Sequence, residues 1–152
     1  MTSPRIDAHQ HFWCLDRGDY GWLTPDLQPI YRDVGPADLD PHLLRHGIAA
    51  SIVVQAAPTE AETLYLLDIA RITPSVAGVV GWIDFEAPDA VARVVRLARE
   101  PLLLGLRPMV QDIADAMPGI RHHEIAGIGH MIYLEYPDRF NALLEDLLAE
   151  AG

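Results

Sequence analysis

Two histidines one residue apart, His9 and His11, lie in the run Ile6-Asp7-Ala8-His9-Gln10-His11-Phe12-Trp13. In an extended strand alternate side chains point to opposite faces. Asp7, His9 and His11 then share one face, and Ile6, Ala8 and Gln10 the other. Imidazoles at i and i+2 stand about 6.5 Å apart along a strand, near enough to converge on one ion. Neutral imidazole is a common ligand of zinc-like metals, so the pair predicts a site for one divalent cation. On spacing alone, two imidazoles that merely pack are the commoner explanation of such a pair. The setting decides between them.

That setting is a chain alternating strand and helix. Ala49 to Ala57 is a nearly unbroken apolar run, which predicts a strand buried on both faces. Val76 to Phe85 and Leu102 to Arg107 predict two further strands. A first helix is expected over Asp38 to Gly47, with Asp40 as cap, Pro41 at the first position and Gly47 closing it. His42 and His46 fall one turn apart on it, where cations suit the helix C-terminus better than chelation. Thr59 with Glu62 three residues on reads as a capping box opening a second helix. Leu64, Leu66, Leu67 and Ile69 give that helix an apolar stripe, and Arg71 and Pro74 end it. A third is expected from Pro88-Asp89 to Arg99, with Val91, Val94, Val95 and Ala98 inward.

This alternation predicts βαβ units, parallel pairing and an α/β fold. Right-handed crossovers place every strand's C-terminal end on one side. His9, His11, Gln55, Asp84 and Arg107 all fall at such ends, where α/β folds collect their chemistry. The long stretch from Cys14 to Gly35 carries Tyr20, Trp22 and Tyr31, which either line that rim or pack the loop onto the body.

Composition narrows the function classes. The chain has 152 residues, half of them hydrophobic, as in one ordinary globular domain. Its formal net charge of -11 argues against nucleic acid and anionic membrane surfaces, which require clustered Lys and Arg. No run approaches the roughly 20 apolar residues of a membrane span. Residues 1 to 12 show no signal peptide, and Cys14 is the only cysteine, so a reducing, cytoplasmic setting is expected. Dinucleotide, phosphate-loop and dithiol motifs are absent.

Five separated motifs agree in order and spacing with one known family. Ile6 to Trp13, Tyr20-Gly21-Trp22, Val54 to Thr63, Gly81-Trp82-Ile83-Asp84 and Gly105-Leu106-Arg107-Pro108 resemble the amidohydrolase-related family. Within it they are most similar to the sugar-lactonase branch of TIM-barrel hydrolases, over roughly residues 5 to 115. The resemblance implies a metal-activated water that opens lactones or related C–O and C–N bonds. It makes His9 and His11 the metal pair and Arg107 a catalytic and substrate-binding group. Asp84 becomes a further catalytic candidate, and Gln55 and Trp22 become substrate contacts. A small-molecule lactone is the implied partner.

A complete (β/α)8 barrel takes about 250 residues, and only four strands are read before residue 110. The expectation is a half TIM barrel over 1–115 with an appended strand and C-terminal helix over 116–152. Residues 117–152 resemble the end of an α/β-hydrolase: a strand over Arg121 to Ala126, Gly127-Ile128-Gly129-His130, then an amphipathic helix from Asp138 to Ala149. That resemblance makes His130 a triad base. A triad needs its serine on a G-x-S-x-G elbow, and Ser3, Ser51 and Ser75 occupy none. Three readings follow: a lactone hydrolase of the amidohydrolase type, a serine-hydrolase remnant using His130, or a non-catalytic module. The last would self-associate as a homo-oligomer through open sheet edges.

Overall fold

The computed structural model describes residues 4–108, 138–143 and 145. In chain order come β1 (Ile6–Gln10), a 3-10 turn (Leu15–Arg17), α1 (Pro36–His46), β2 (Ala50–Val54) and α2 (Glu60–Ile72). β3 (Val76–Gly81), α3 (Ala90–Leu97) and β4 (Leu103–Leu106) follow. The four strands form one sheet in the order β1-β2-β3-β4, each parallel to its neighbour. A doubly wound sheet reverses its strand order at a switch point. This one does not reverse, which is the winding a barrel requires. The α/β, half-barrel expectation therefore holds over these residues.

Each strand pair slips by one residue. The irregularities fall between Asp7 and Gln10, between Ser51 and Ile52, and between Val79 and Val80. An extra residue bends a strand and re-aims its side chains. In β1 the irregular stretch contains His9.

The main core joins Phe12, Val53, Val76 and Val79 to Leu66, Leu67 and Ala70 of α2. A second cluster, Tyr20 and Leu23 against Ala57, pins the long loop onto the body. The base of that loop is closed by paired backbone bonds between Trp13 and Val34, both 3.0 Å. By contacts the chain divides into two units, Met1–Asp115 and Ala116–Gly152. In the second, residues 138–143 and 145 are helical. Among the described residues no helix is long and apolar enough to cross a membrane. The expected strand at 121–126, and His130 with it, lie outside the described residues.

Three local expectations are corrected. The first helix starts at Pro36, not Pro41, because Asp38 supplies the cap interaction: its Oδ2 accepts the Gly35 N–H at 2.9 Å. Asp40 instead accepts from the Ser75 hydroxyl at 2.6 Å. Gly47 does close the helix, in the left-handed region at φ 62°.

The inward face of α2 is Glu62, Thr63, Leu66, Leu67 and Ala70, while Leu64 is 45% exposed. Two polar residues at the start of the stripe shift its phase from the one hydrophobicity suggests.

On α3 only Leu97 is buried, and Val91 and Val95 are 78% and 53% exposed. Arg93 and Arg96 both ion-pair with Glu60 of α2, which turns the basic edge of α3, and not its valines, toward its neighbour.

Candidate active site

The two histidines meet at the carboxyl end of β1. His9 Nε2 and His11 Nε2 stand 3.2 Å apart, with ring planes at 80°. His11 Nδ1 lies 2.8 Å from the carbonyl oxygen of Val54, the last residue of β2. A carbonyl only accepts, so that ring nitrogen carries the hydrogen and Nε2 presents a lone pair toward His9. Backbone carbonyls hold metal-binding histidines in this same way. Two nitrogens bound to one tetrahedral zinc at about 2.0–2.1 Å stand about 3.3 Å apart, so the observed spacing fits a shared ion. Among the described residues no group of three or more His, Cys, Asp or Glu gathers to complete a site. Asp7 serves the backbone, its Oδ1 accepting the His9 N–H at 3.2 Å.

Gln55 and Arg107 are joined across the end of β3. The fully buried Gln55 amide donates to the Arg107 carbonyl at 3.2 Å, and Arg107 Nη2 donates to the Gln55 carbonyl at 3.4 Å. Their backbones are fixed from between: Gln55 N–H bonds Val80 and Arg107 N–H bonds Gly81, each at 2.8 Å. Burial lowers the Arg107 pKa, partly offset by the Glu62 carboxylate. A guanidinium remains charged at neutral pH through such a shift. Among the described residues no carboxylate forms an ion pair with Arg107. Asp84 does not reach it; its Oδ1 accepts the Glu86 N–H at 3.0 Å.

Trp22 reaches the rim from the long loop. Its indole N–H donates to the Ala56 carbonyl at 2.8 Å, and its ring stands edge-on to Trp13 at 5.8 Å. At 43% exposure it leaves an apolar face open. The structure thus joins His9 to His11, His11 to the end of β2, Gln55 to Arg107, and Trp22 to the residue after Gln55. Asp84 stays apart.

The sequence reading missed what lies beneath this rim. Glu62 and Thr63, both fully buried, occupy the first turn of α2. Thr59 caps α2 as expected, its Oγ1 accepting the Glu62 N–H at 3.1 Å. The Glu62 carboxylate does not return to Thr59; it accepts the Ala56 N–H at 3.0 Å and the Ala57 N–H at 2.6 Å. Burial raises the Glu62 pKa against the pull of those bonds. Tyr20 is raised too, by burial and then by the charges of Glu62 and Asp19. Polar residues at the 62, 63, 66, 67, 70 phase of a helix were the signal available.

A parallel sheet wound in one direction, with its polar groups gathered at the carboxyl rim, is the build of barrel-forming α/β proteins. The chain belongs to the amidohydrolase family, whose family model matches residues 6–147. It is 52% identical over 111 residues to an L-fucono-1,5-lactonase of Burkholderia ambifaria, covering 73% of this chain and 38% of that protein. A Burkholderia multivorans protein of the same description is 40% identical over 115 residues, covering 76% and 38%.

Two crystal structures of an amidohydrolase from Burkholderia multivorans, one with bound zinc and one with bound HEPES, superpose with TM-score 0.66 at 40% identity. They cover 74% of this chain and 39% of theirs. The chain therefore spans 38% of the length of the curated relatives it matches. The resemblance of residues 117–152 to an α/β-hydrolase finds no support, since the amidohydrolase match continues to residue 147.

Proposed function

We propose that this chain carries the metal side of a lactone-opening site, with His9 and His11 holding one divalent, zinc-like cation. The observation that carries this reading is the 3.2 Å separation of the two Nε2 atoms, with His11 Nδ1 committed to Val54. When bound, such a cation polarises an ester carbonyl and lowers the pKa of adjacent water. Arg107, charged and braced by Gln55, orients a substrate hydroxyl or carboxylate. The open face of Trp22 packs against a sugar ring. Asp84, exposed at the carboxyl end of β3, is a further catalytic candidate. The names of the two lactonase relatives support a small sugar lactone as substrate.

Residues 116–152 are read as an appended segment, which the division after Asp115 supports. A cytoplasmic setting is read from the single Cys14. Among the described residues β1 and β4 each have one strand neighbour, which favours self-association as a second reading.

The test is zinc titration by calorimetry, paired with opening of L-fucono-1,5-lactone followed by acid release. One zinc per chain and hydrolysis that a chelator removes support the proposal. A folded chain that takes no zinc and opens no lactone refutes it.

A further inference from the structure

We infer that Glu62 and Thr63 are positioning residues: from the first turn of α2 they hold the loops after β2 and β3, and through them the groups of the rim. The inference rests on the reading of that rim as the site. Successive helical residues point about 100° apart, so two neighbours can reach two different loops.

Glu62 takes the loop after β2. Its carboxylate accepts the N–H groups of Ala56 and Ala57. Three anchoring contacts of the rim fall on Val54, Gln55 and Ala56, within two residues of the Ala56 amide. The Val54 carbonyl fixes the His11 tautomer, Gln55 braces Arg107, and the Ala56 carbonyl receives the Trp22 indole. A leucine at position 62 would suit the buried stripe but would leave two amides without their acceptor, a cost native interiors avoid.

Thr63 takes the loop after β3. Its hydroxyl donates to the Trp82 carbonyl at 2.8 Å and accepts the Trp82 N–H at 2.7 Å, bracketing the residue two before Asp84. The approach is close enough that a Cβ on Gly81 would overlap Thr63 Cγ2. Thr59 adds a third tie, its hydroxyl donating to Asp19 Oδ2 of the first loop at 2.9 Å. Three loops of the rim thus meet at the start of one helix. Glu62 and Thr63 act through backbone groups and touch no substrate.

Three tryptophans make the test local. The Trp22 indole N–H reports the loop after β2 through Ala56, and the Trp82 backbone N–H reports the loop after β3. Amide and indole exchange would be followed by nitrogen-15 NMR in the whole chain and in Glu62→Gln, Glu62→Asp, Thr63→Val and Thr63→Ser. Glu62→Gln is expected to speed Trp22 indole exchange about tenfold and leave the Trp82 amide alone. Thr63→Val is expected to do the reverse, and Thr63→Ser, which keeps the hydroxyl, to restore the wild-type rate. Should Gln at 62 fail to fold, Glu62→Asp must show the same selective change.

Exchange left at wild-type rates in both Glu62→Gln and Thr63→Val, or both signals sped alike in each, would overturn the assignment. Zinc titration of the same samples separates the two ideas. A wild-type chain that takes no zinc overturns the metal reading, while the exchange pattern still decides the positioning roles.

Discussion

His11 Nδ1 and the carbonyl oxygen of Val54 are 2.8 Å apart, a bond that crosses from the end of β1 to the end of β2. It removes one tautomer of the ring and fixes the direction of Nε2, so the site begins with a backbone atom of the neighbouring strand. The register slip between Asp7 and Gln10 sits beside it, where a bent strand re-aims side chains. Position in the sheet, not merely H-x-H spacing, brings the two Nε2 atoms to 3.2 Å.

Replacing both histidines, His9→Ala with His11→Ala, is expected to abolish zinc binding with little loss of fold. His9 is exposed, and the sheet bonds of β1 are made by its backbone. Losing the His11 bond to the Val54 carbonyl costs about 1 kcal/mol. Calorimetric zinc titration and urea unfolding together check this. Wild-type zinc uptake by the double variant would exclude the pair as ligands.

Gln55 behaves differently because it is fully buried and bonded at both its amide group and its backbone. Gln55→Ala leaves a cavity and takes the amide donor from the Arg107 carbonyl, together costing about 2–4 kcal/mol. Urea unfolding measures that loss. Arg107→Met keeps most of the apolar stem and removes a partly desolvated charge. It is expected to cost under about 1.5 kcal/mol while removing the lactone opening proposed for this rim. A stable Gln55→Ala chain would contradict the bracing role.

Most of the strand and helix order was legible because apolar runs and alternating elements carry it directly. The placement of His9, His11, Gln55 and Arg107 at one rim was legible for the same reason: parallel strands with right-handed crossovers all end on one side. Three things were not. Pro36 and Pro41 both satisfy the rule for a helix start, and only the Asp38 bond to Gly35 distinguishes them. The valines of α3 promise an inward face, but ion pairs to Glu60 set its rotation. Glu62 fits a capping box in sequence, yet its carboxylate answers two amides of the preceding loop. Local patterns name a residue's options; tertiary partners choose among them.

The pH dependence of stability follows from Glu62. Its folded pKa is raised above the ordinary 4.5 by burial, which outweighs the two amides it accepts from. Between that ordinary value and the raised one, the folded chain binds more proton than the unfolded chain. Stability therefore rises as pH falls through this window, with a slope of at most about 1.4 kcal/mol per pH unit for one group. Glu62→Gln, which cannot ionise, should lack that component. Urea midpoints of both proteins from pH 4 to 8 provide the check. Parallel curves would mean that Glu62 titrates alike in both states.

Gly81 and Thr63 supply the sharpest packing test. A Cβ at Gly81 would stand 2.7 Å from Thr63 Oγ1 and overlap Cγ2, so the chain must move or the threonine must turn. Turning it breaks the two bonds that bracket Trp82. Gly81→Ala is expected to destabilise by about 1–3 kcal/mol, as overpacking does. Thr63→Ala alone loses the hydroxyl and also costs about 1–3 kcal/mol. The pair should not add, because the second change makes room for the first. The double variant is expected to be more stable than the sum predicts by about 0.5–3 kcal/mol. Urea unfolding of all four proteins gives that coupling directly. A value of zero would mean that Gly81 is glycine for some reason other than its contact with Thr63.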